Sequence, residues 1–212
     1  MLGLQSANTP SMVTTIALIA LTCAVSFTGF QNRDMLERLI FWPPAVNRGE
    51  YHRLLTHGFL HADGQHLLFN MVTLFFFGRA VEGFFTRYIG QLGFAGFYLA
   101  AVVVAIVPSY LRHRGDSQYR SLGASGAVAA VLFTYILIAP WTTIYVFFFP
   151  IPAIVYAALF TAYGLYAGRL GHDHINHSAH LWGAGFGVLF ALCMEPRLAG
   201  AFIQRLLQPL AG

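Results

Sequence analysis

Ser121-Leu122-Gly123-Ala124-Ser125-Gly126-Ala127-Val128 decides how this chain is read. The stretch follows Arg120 and opens a run with no charged side chain before Arg169. Glycines on either side of Ser125 remove side-chain bulk, so a second helix or a peptide backbone can approach the hydroxyl closely. A helix start also offers free backbone N–H groups and the positive end of the helix dipole, a setting that can stabilise an oxyanion. Taken by itself the stretch reads first as a Gly/Ser seam for helix packing. The rest of the chain separates the two readings.

Working outward, the composition is that of a membrane protein. Of the 212 residues 57% are apolar and 9% are charged, and mean hydropathy is +0.62. A soluble domain carries about 25% charged residues. All twelve basic residues are arginine and are spread over loops, which excludes a concentrated nucleic-acid surface. Cys23 and Cys193 lie inside apolar segments, too few and too buried for a disulfide framework or a metal knuckle. No charge precedes Arg33, so the start reads as a retained span and not as a secretory signal with a basic lead.

The reading is one membrane domain over 1–212, an all-α polytopic bundle. Its spans fall at about 12–30, 66–86, 88–111, 122–139, 150–168 and 178–194. The mixed loop 31–65 carries Phe41, Trp42 and Tyr51 among its charges and is expected to fold against the membrane surface. Residues 142–149 are apolar and bracketed by Pro140 and Pro150, and the fifth span is expected to start near Pro150. The tail after Pro196 is mildly amphipathic.

Polar side chains inside spans are costly and mark function. The second span opens with His66 and Asn70, four apart and so on one helix face. The fourth opens with Gly123-Ala124-Ser125-Gly126, the sixth with His177-Ser178-Ala179-His180. Alternate spans reverse direction, so the starts of spans two, four and six face one side and can meet in a shallow pocket. Serine needs a base to act as a nucleophile, and His180 is the candidate for Ser125. His66, Asn70 and the Ser125 backbone N–H are candidate oxyanion donors. Gly183, Gly185 and Gly187 on span six, with Gly123 and Gly126 on span four, would let those helices pack closely enough for the short Ser and His side chains to meet.

In this order, His66-x-x-x-Asn70, Gly123-x-Ser125-Gly126 and Ala179-His180-x-x-Gly183-x-x-x-Gly187 resemble the rhomboid family of intramembrane serine proteases over about residues 12–195. The lead-in His57…His61…His66, Gly78-x-x-x-Glu82 and Tyr51-His52-Arg53 also fit. The resemblance implies a basic six-transmembrane-helix rhomboid-like bundle of bacterial-like form. It implies a Ser–His dyad without a third acid, an amphipathic first loop lying in the membrane, and a mobile cap between spans five and six. Carried over, Ser125 is the nucleophile, His180 the base, His66 and Asn70 the oxyanion partners, and Glu82 and Arg53 structural residues. The implied activity is endoproteolysis of single-span membrane proteins that enter from the lipid bilayer, with no cofactor, no metal and no nucleic-acid partner. The implied location is a bacterial inner membrane, with both termini cytoplasmic. One position departs from the pattern. Four residues after the nucleophile the best-known members carry a tyrosine under the catalytic histidine, and here it is Ala129.

Other readings compete. His57 with His61, and His172, His174 and His177, are spaced for metal, yet neither group brings an acid or thiolate in pattern, so hydrogen bonding to loop backbone is favoured. Asn176-His177-Ser178 matches a glycosylation acceptor but abuts a span. Glu82 is either a proton relay or a partner for backbone groups near a span end. Trp42, Trp141 and Trp182 read as interfacial or packing residues. The alternative functions are a catalytically weak or silent relative that binds membrane clients, and a His-lined metal transporter. Arginine counting opposes the implied topology. It puts Arg33, Arg38, Arg48, Arg53, Arg112, Arg114, Arg120 and Arg169 outside, against Arg79, Arg87, Arg197 and Arg205 inside. The resemblance is followed because the four arginines of the first loop are interleaved with Asp34, Glu37 and Glu50 in what reads as a folded segment.

Overall fold

In the computed structural model, residues 12–146, 148–170 and 175–207 are described. The chain opens with helix α1 (Val13–Gln31), whose 19 residues are apolar enough to cross a bilayer. No side chain of its own caps its start. Instead the buried carboxylate of Glu82, from another helix, accepts the Thr14 and Thr15 N–H groups at 2.9 and 2.8 Å and the Thr15 hydroxyl at 2.6 Å. A carboxylate at a helix N-terminus meets free donors and the positive dipole end, which accounts for an acid buried here.

The first loop is folded. It forms α2 (Arg33–Leu39), α3 (Pro43–Asn47), α4 (Arg53–Thr56) and one 3₁₀ turn (His57–Phe59). Asn32 caps α2 through the Met35 N–H, and two prolines open α3, where a missing N–H costs nothing. Arg53, 6% exposed, organises the loop. Its guanidinium donates to Glu50 at 2.7 Å and to the Glu37 and Ile40 carbonyls at 2.7 and 2.8 Å.

The next helix, α5 (Gly64–His113), corrects the expected break between residues 86 and 88. Helical structure runs on to Gly90, whose φ of 74° and ψ of 177° interrupt it. A positive φ of this kind favours glycine. The chain folds back there. The Phe85 ring lies 4.4 Å from Phe97, whereas an unbroken helix would separate residues twelve apart by about 18 Å. Phe186 and Phe190 stack on this elbow, Phe186 on Phe97 at 5.7 Å and Phe190 on Phe85 at 5.7 Å.

Helix α6 (Ser125–Ile138) is central and buried over most of its length. It starts three residues later than expected, because Gly123 at φ 126° turns the chain into it. Its 14 residues rise about 21 Å, less than the ~30 Å of a bilayer core. The fifth span also starts later than expected. Thr143–Val146 (β1) and Phe149–Pro152 (β2) form an antiparallel hairpin, and α7 (Ala153–Leu170) follows it. The β-branched and aromatic residues of this uncharged stretch suit a hairpin whose backbone groups pair with each other. Helix α8 (His177–Met194) packs against α6, and α9 (Arg197–Leu207) carries the amphipathic tail. Arg205 reaches the Ile138 carbonyl, and Trp141 Nε1 donates to the Arg205 carbonyl at 3.0 Å, fixing α9 under the end of α6. Besides α1, the helices α5, α7 and α8 are long and apolar enough to cross a membrane, by length and composition.

The glycine seam is real but narrower than expected. A Cβ on Gly183 would run into the Gly126 carbonyl, and one on Gly187 into the Ala130 carbonyl. One on Gly126 would come within 2.6 Å of the Ala105 Cβ. Gly185 faces open space and takes no part in the seam. Cys193, expected to be buried, is exposed on the outer side of α8.

Candidate active site

The starts of α5, α6 and α8 converge on one cavity of about 1060 Å³, whose lining includes His66, Asn70, Gly123, Ser125, Asn176 and His180. On its floor, His180 Nε2 lies 2.7 Å from Ser125 Oγ. Both side chains are half-buried. The register follows from α6 and α8 packing at the Gly126–Gly183 contact, which brings the two backbones to touching distance and leaves short side chains to close the gap.

An aromatic ring does lie against His180, and it is that of Phe160 on α7. Its ring lies 6.0 Å from that of His180 with 30° between the planes. Phe160 is itself packed against Phe133 at 5.5 Å and Tyr156 at 5.7 Å. His177, one turn earlier on α8, stands edge-on to His180 at 6.2 Å. The aromatic support thus comes from a neighbouring helix instead of the nucleophile's own, which sequence spacing could not reveal.

Asp63 caps α5 by accepting the His66 N–H at 2.8 Å. Asn70 is buried, and its side-chain nitrogen donates to the His66 carbonyl at 3.0 Å. An amide nitrogen has two hydrogens, so one remains for a ligand in the cavity. The His66 ring lies against Gly123, where a Cβ would come within 2.7 Å of it. Glycine at 123 is therefore required both by its backbone conformation and by the ring beside it.

A hydrogen-bonded chain fixes the backbone just before Ser125. The Ala124 N–H donates to His61 Nε2 at 3.4 Å, so Nε2 is the unprotonated nitrogen. His61 Nδ1 then donates to Ser26 Oγ at 2.9 Å, and the Ser26 hydroxyl donates to the Phe59 carbonyl at 2.9 Å. Next to it the Gly123 N–H donates to the His57 carbonyl at 3.0 Å. Burial pushes the pKa of His61 down to about 3, aided by neighbouring His66, and that of His57 down to about 4. Both are neutral at neutral pH, as the chain of donors requires of His61. His57 Nδ1 meets the Arg53 carbonyl at 3.0 Å, so both lead-in histidines are engaged with the loop and with the residues before Ser125. Among the described residues no group of three His, Cys, Asp or Glu could hold a metal ion. His172 and His174 lie outside the described residues.

Sequence reasoning missed Ser26, Phe160 and Asn176. Only Asn176 had a legible signal, an Asn directly before an apolar helix. Its side chain accepts the Ala179 N–H at 3.0 Å as the cap of α8, so it is engaged within the fold and is not presented as a glycosylation acceptor. Trp42 is held between Arg48 and Arg120, at 5.0 and 4.3 Å from the guanidinium carbons.

A model of the Rhomboid domain matches residues 48–197, most of the chain. The chain is 29% identical to RHOMBOID-like protein 12, mitochondrial, of Arabidopsis thaliana, over 76% of this chain and 51% of that one. It is 32% identical to Rhomboid protease GluP of Bacillus subtilis, over 76% of this chain and 30% of that one. It is 31% identical to the Presenilin-associated rhomboid-like protein, mitochondrial, of Bos taurus, over 65% of this chain and 36% of that one. The chain therefore belongs to the rhomboid family and is a multi-pass integral membrane protein. It spans about half the length of the plant relative and about a third of the other two. The family is generally one of intramembrane serine proteases.

Proposed function

We propose that this protein is an intramembrane serine endopeptidase that cuts transmembrane segments of single-span membrane proteins. The observation that carries the reading is the 2.7 Å contact between His180 Nε2 and Ser125 Oγ on the floor of an open cavity. In the reaction His180 Nε2 takes the Ser125 hydroxyl proton while Oγ attacks the scissile carbonyl carbon. The carbonyl oxygen becomes an oxyanion, met by the Ser125 N–H, the second hydrogen of Asn70 Nδ2 and a ring N–H of His66. His180 then gives its proton to the leaving amine, and water, deprotonated by the same nitrogen, releases the acyl group.

Six crossings fit the fold, with α5 supplying two of them, one on each side of Gly90. The short α6 would leave Ser125 below the membrane surface, with the cavity above it as the route for water. Substrates would approach sideways from the lipid, both termini would face the cytoplasm, and the setting would be a bacterial inner membrane.

Labelling with a fluorophosphonate, which reacts with activated serines, tests the proposal. Wild type is expected to be labelled and Ser125→Ala is not, and Ser125→Ala no longer cleaves a transmembrane reporter. His180→Ala loses about as much, and the double variant little more, because nucleophile and base act as one unit. Cleavage by purified Ser125→Ala would refute the assignment.

A further inference from the structure

We infer that Asn176 is a positioning residue for the Ser125–His180 pair, an inference that rests on the proposed protease reading. The amide of Asn176 sits where three elements of the cavity wall meet. Its Oδ1 accepts the Ala179 N–H of α8 and the hydroxyl of Ser109, on the second arm of α5, each at 3.0 Å. Its Nδ2 donates to Ser121 Oγ at 3.4 Å. The Asn176 carbonyl accepts the His180 N–H at 3.3 Å. Ser109 is 2% exposed, so that end of the network is sealed from water.

The spacing ties this network to the dyad. Ser121 lies four residues before Ser125, and Asn176 four before His180. The Asn176–Ser121 and His180–Ser125 contacts join residues with the same separation of 55 along the chain. One amide therefore links the segment that delivers the serine to the helix that delivers the histidine, beside the reacting pair. The Ser121 end is fixed from outside, because its backbone N–H and carbonyl pair with Phe41 at 3.2 and 3.1 Å. An N-cap also sets where a helix begins, and hence the direction in which the residue four later points. Loss of the amide frees the first turn of α8 to fray and breaks the tie to Ser121. The histidine then drifts from the serine while the rest of the cavity keeps its walls. A misplacement of about 1 Å at a reacting pair can cost about 10²-fold in rate.

The test uses the full chain, purified in detergent and in vesicles. It compares wild type with Asn176→Ala, which removes every side-chain contact, and Asn176→Asp, which keeps the acceptor for Ala179 and Ser109. Three quantities are read: the fluorophosphonate labelling rate, kcat and KM on a transmembrane reporter, and the thermal midpoint. Asn176→Ala is expected to lower kcat and the labelling rate together by about 10- to 100-fold, with KM nearly unchanged. Asn176→Asp is expected to recover most of both. Wild-type rates in Asn176→Ala would overturn the inference, and so would a change confined to KM. Equal damage in Asn176→Asp at an unchanged thermal midpoint would also overturn it. If Asn176→Ala does not fold, Ser109→Ala carries the test. A loss of about 3- to 10-fold in labelling rate is expected from one missing hydrogen bond, and an unchanged rate overturns the inference. A wild-type protein that is not labelled at Ser125 would instead refute the protease reading itself.

Discussion

The ring of Phe160 lies 6.0 Å from that of His180, nearly parallel to it, and the two residues belong to different helices, α7 and α8. Position 129, on α6, carries only the methyl group of alanine, so the ring beside His180 comes from α7. A histidine that must exchange protons with a serine gains from a flat apolar wall that limits its rotation without competing for its nitrogens. Phe160→Ala is expected to lower kcat by about 3- to 10-fold, the worth of one aromatic pair, while Phe160→Tyr stays near wild type. Steady-state cleavage of a transmembrane reporter measures this. Full activity in Phe160→Ala would show that the dyad is held by other contacts.

Asn70 Nδ2 spends one hydrogen on the His66 carbonyl and keeps the other for the cavity. If that hydrogen meets the oxyanion, Asn70→Ala lowers kcat by about 10²–10³-fold and leaves KM nearly unchanged. His66→Ala is expected to do less, because the ring also packs against Gly123 and His61. A raised KM at constant kcat in Asn70→Ala would make the residue a substrate-binding group.

His57 and His61 are buried with pKa values of about 4 and about 3, below the ordinary value near 6.5 in the unfolded chain. The unfolded state therefore binds more protons as pH falls below about 6.5, and stability drops from there down to the folded pKa of each histidine. Between pH 7 and pH 5 each histidine is expected to remove about 1–2 kcal/mol. Thermal midpoints at pH 8, 7, 6 and 5 check this, with His57→Gln and His61→Gln each showing a shallower fall than wild type. A flat profile, or equal slopes in all three proteins, would contradict the assignment of neutral buried rings.

Orientation is read by thiol labelling. In a background with Cys23 and Cys193 replaced by alanine, Gly115→Cys places a thiol in the exposed connection beside the cavity. Gln204→Cys places one on exposed α9, which is fixed to the other end of α6. With the cavity facing outward, an impermeant reagent added to intact cells modifies position 115 at once and position 204 only after the membrane is opened. The opposite pattern would mean that the arginine count gives the true topology.

Composition is enough for the membrane class, because a long chain with so few charges has no other solvent in which to hide its apolar faces. The order of the polar residues also says which side chains gather. Helices that cross a membrane must alternate in direction, so polar residues at the starts of alternate spans end on one side, and His66, Asn70, Ser125 and His180 do line one cavity. Tertiary structure alone decided the rest. The turn between the two arms of α5 falls at Gly90, because glycine accepts the positive φ there, three residues beyond the Arg87 at which the sequence divides the two spans. Thr143–Val146 and Phe149–Pro152 pair as a hairpin because two prolines and β-branched neighbours disfavour a helix, which apolar content does not reveal. Phe160 under His180, Ser26 behind His61 and Ser109 beside Asn176 are contacts between residues 20 to 67 positions apart. No local periodicity encodes such pairs, since they depend on how far each helix slides and turns against its neighbour. The glycine seam that brings Gly126 against Gly183 sets that slide, and with it the distance from Ser125 to His180.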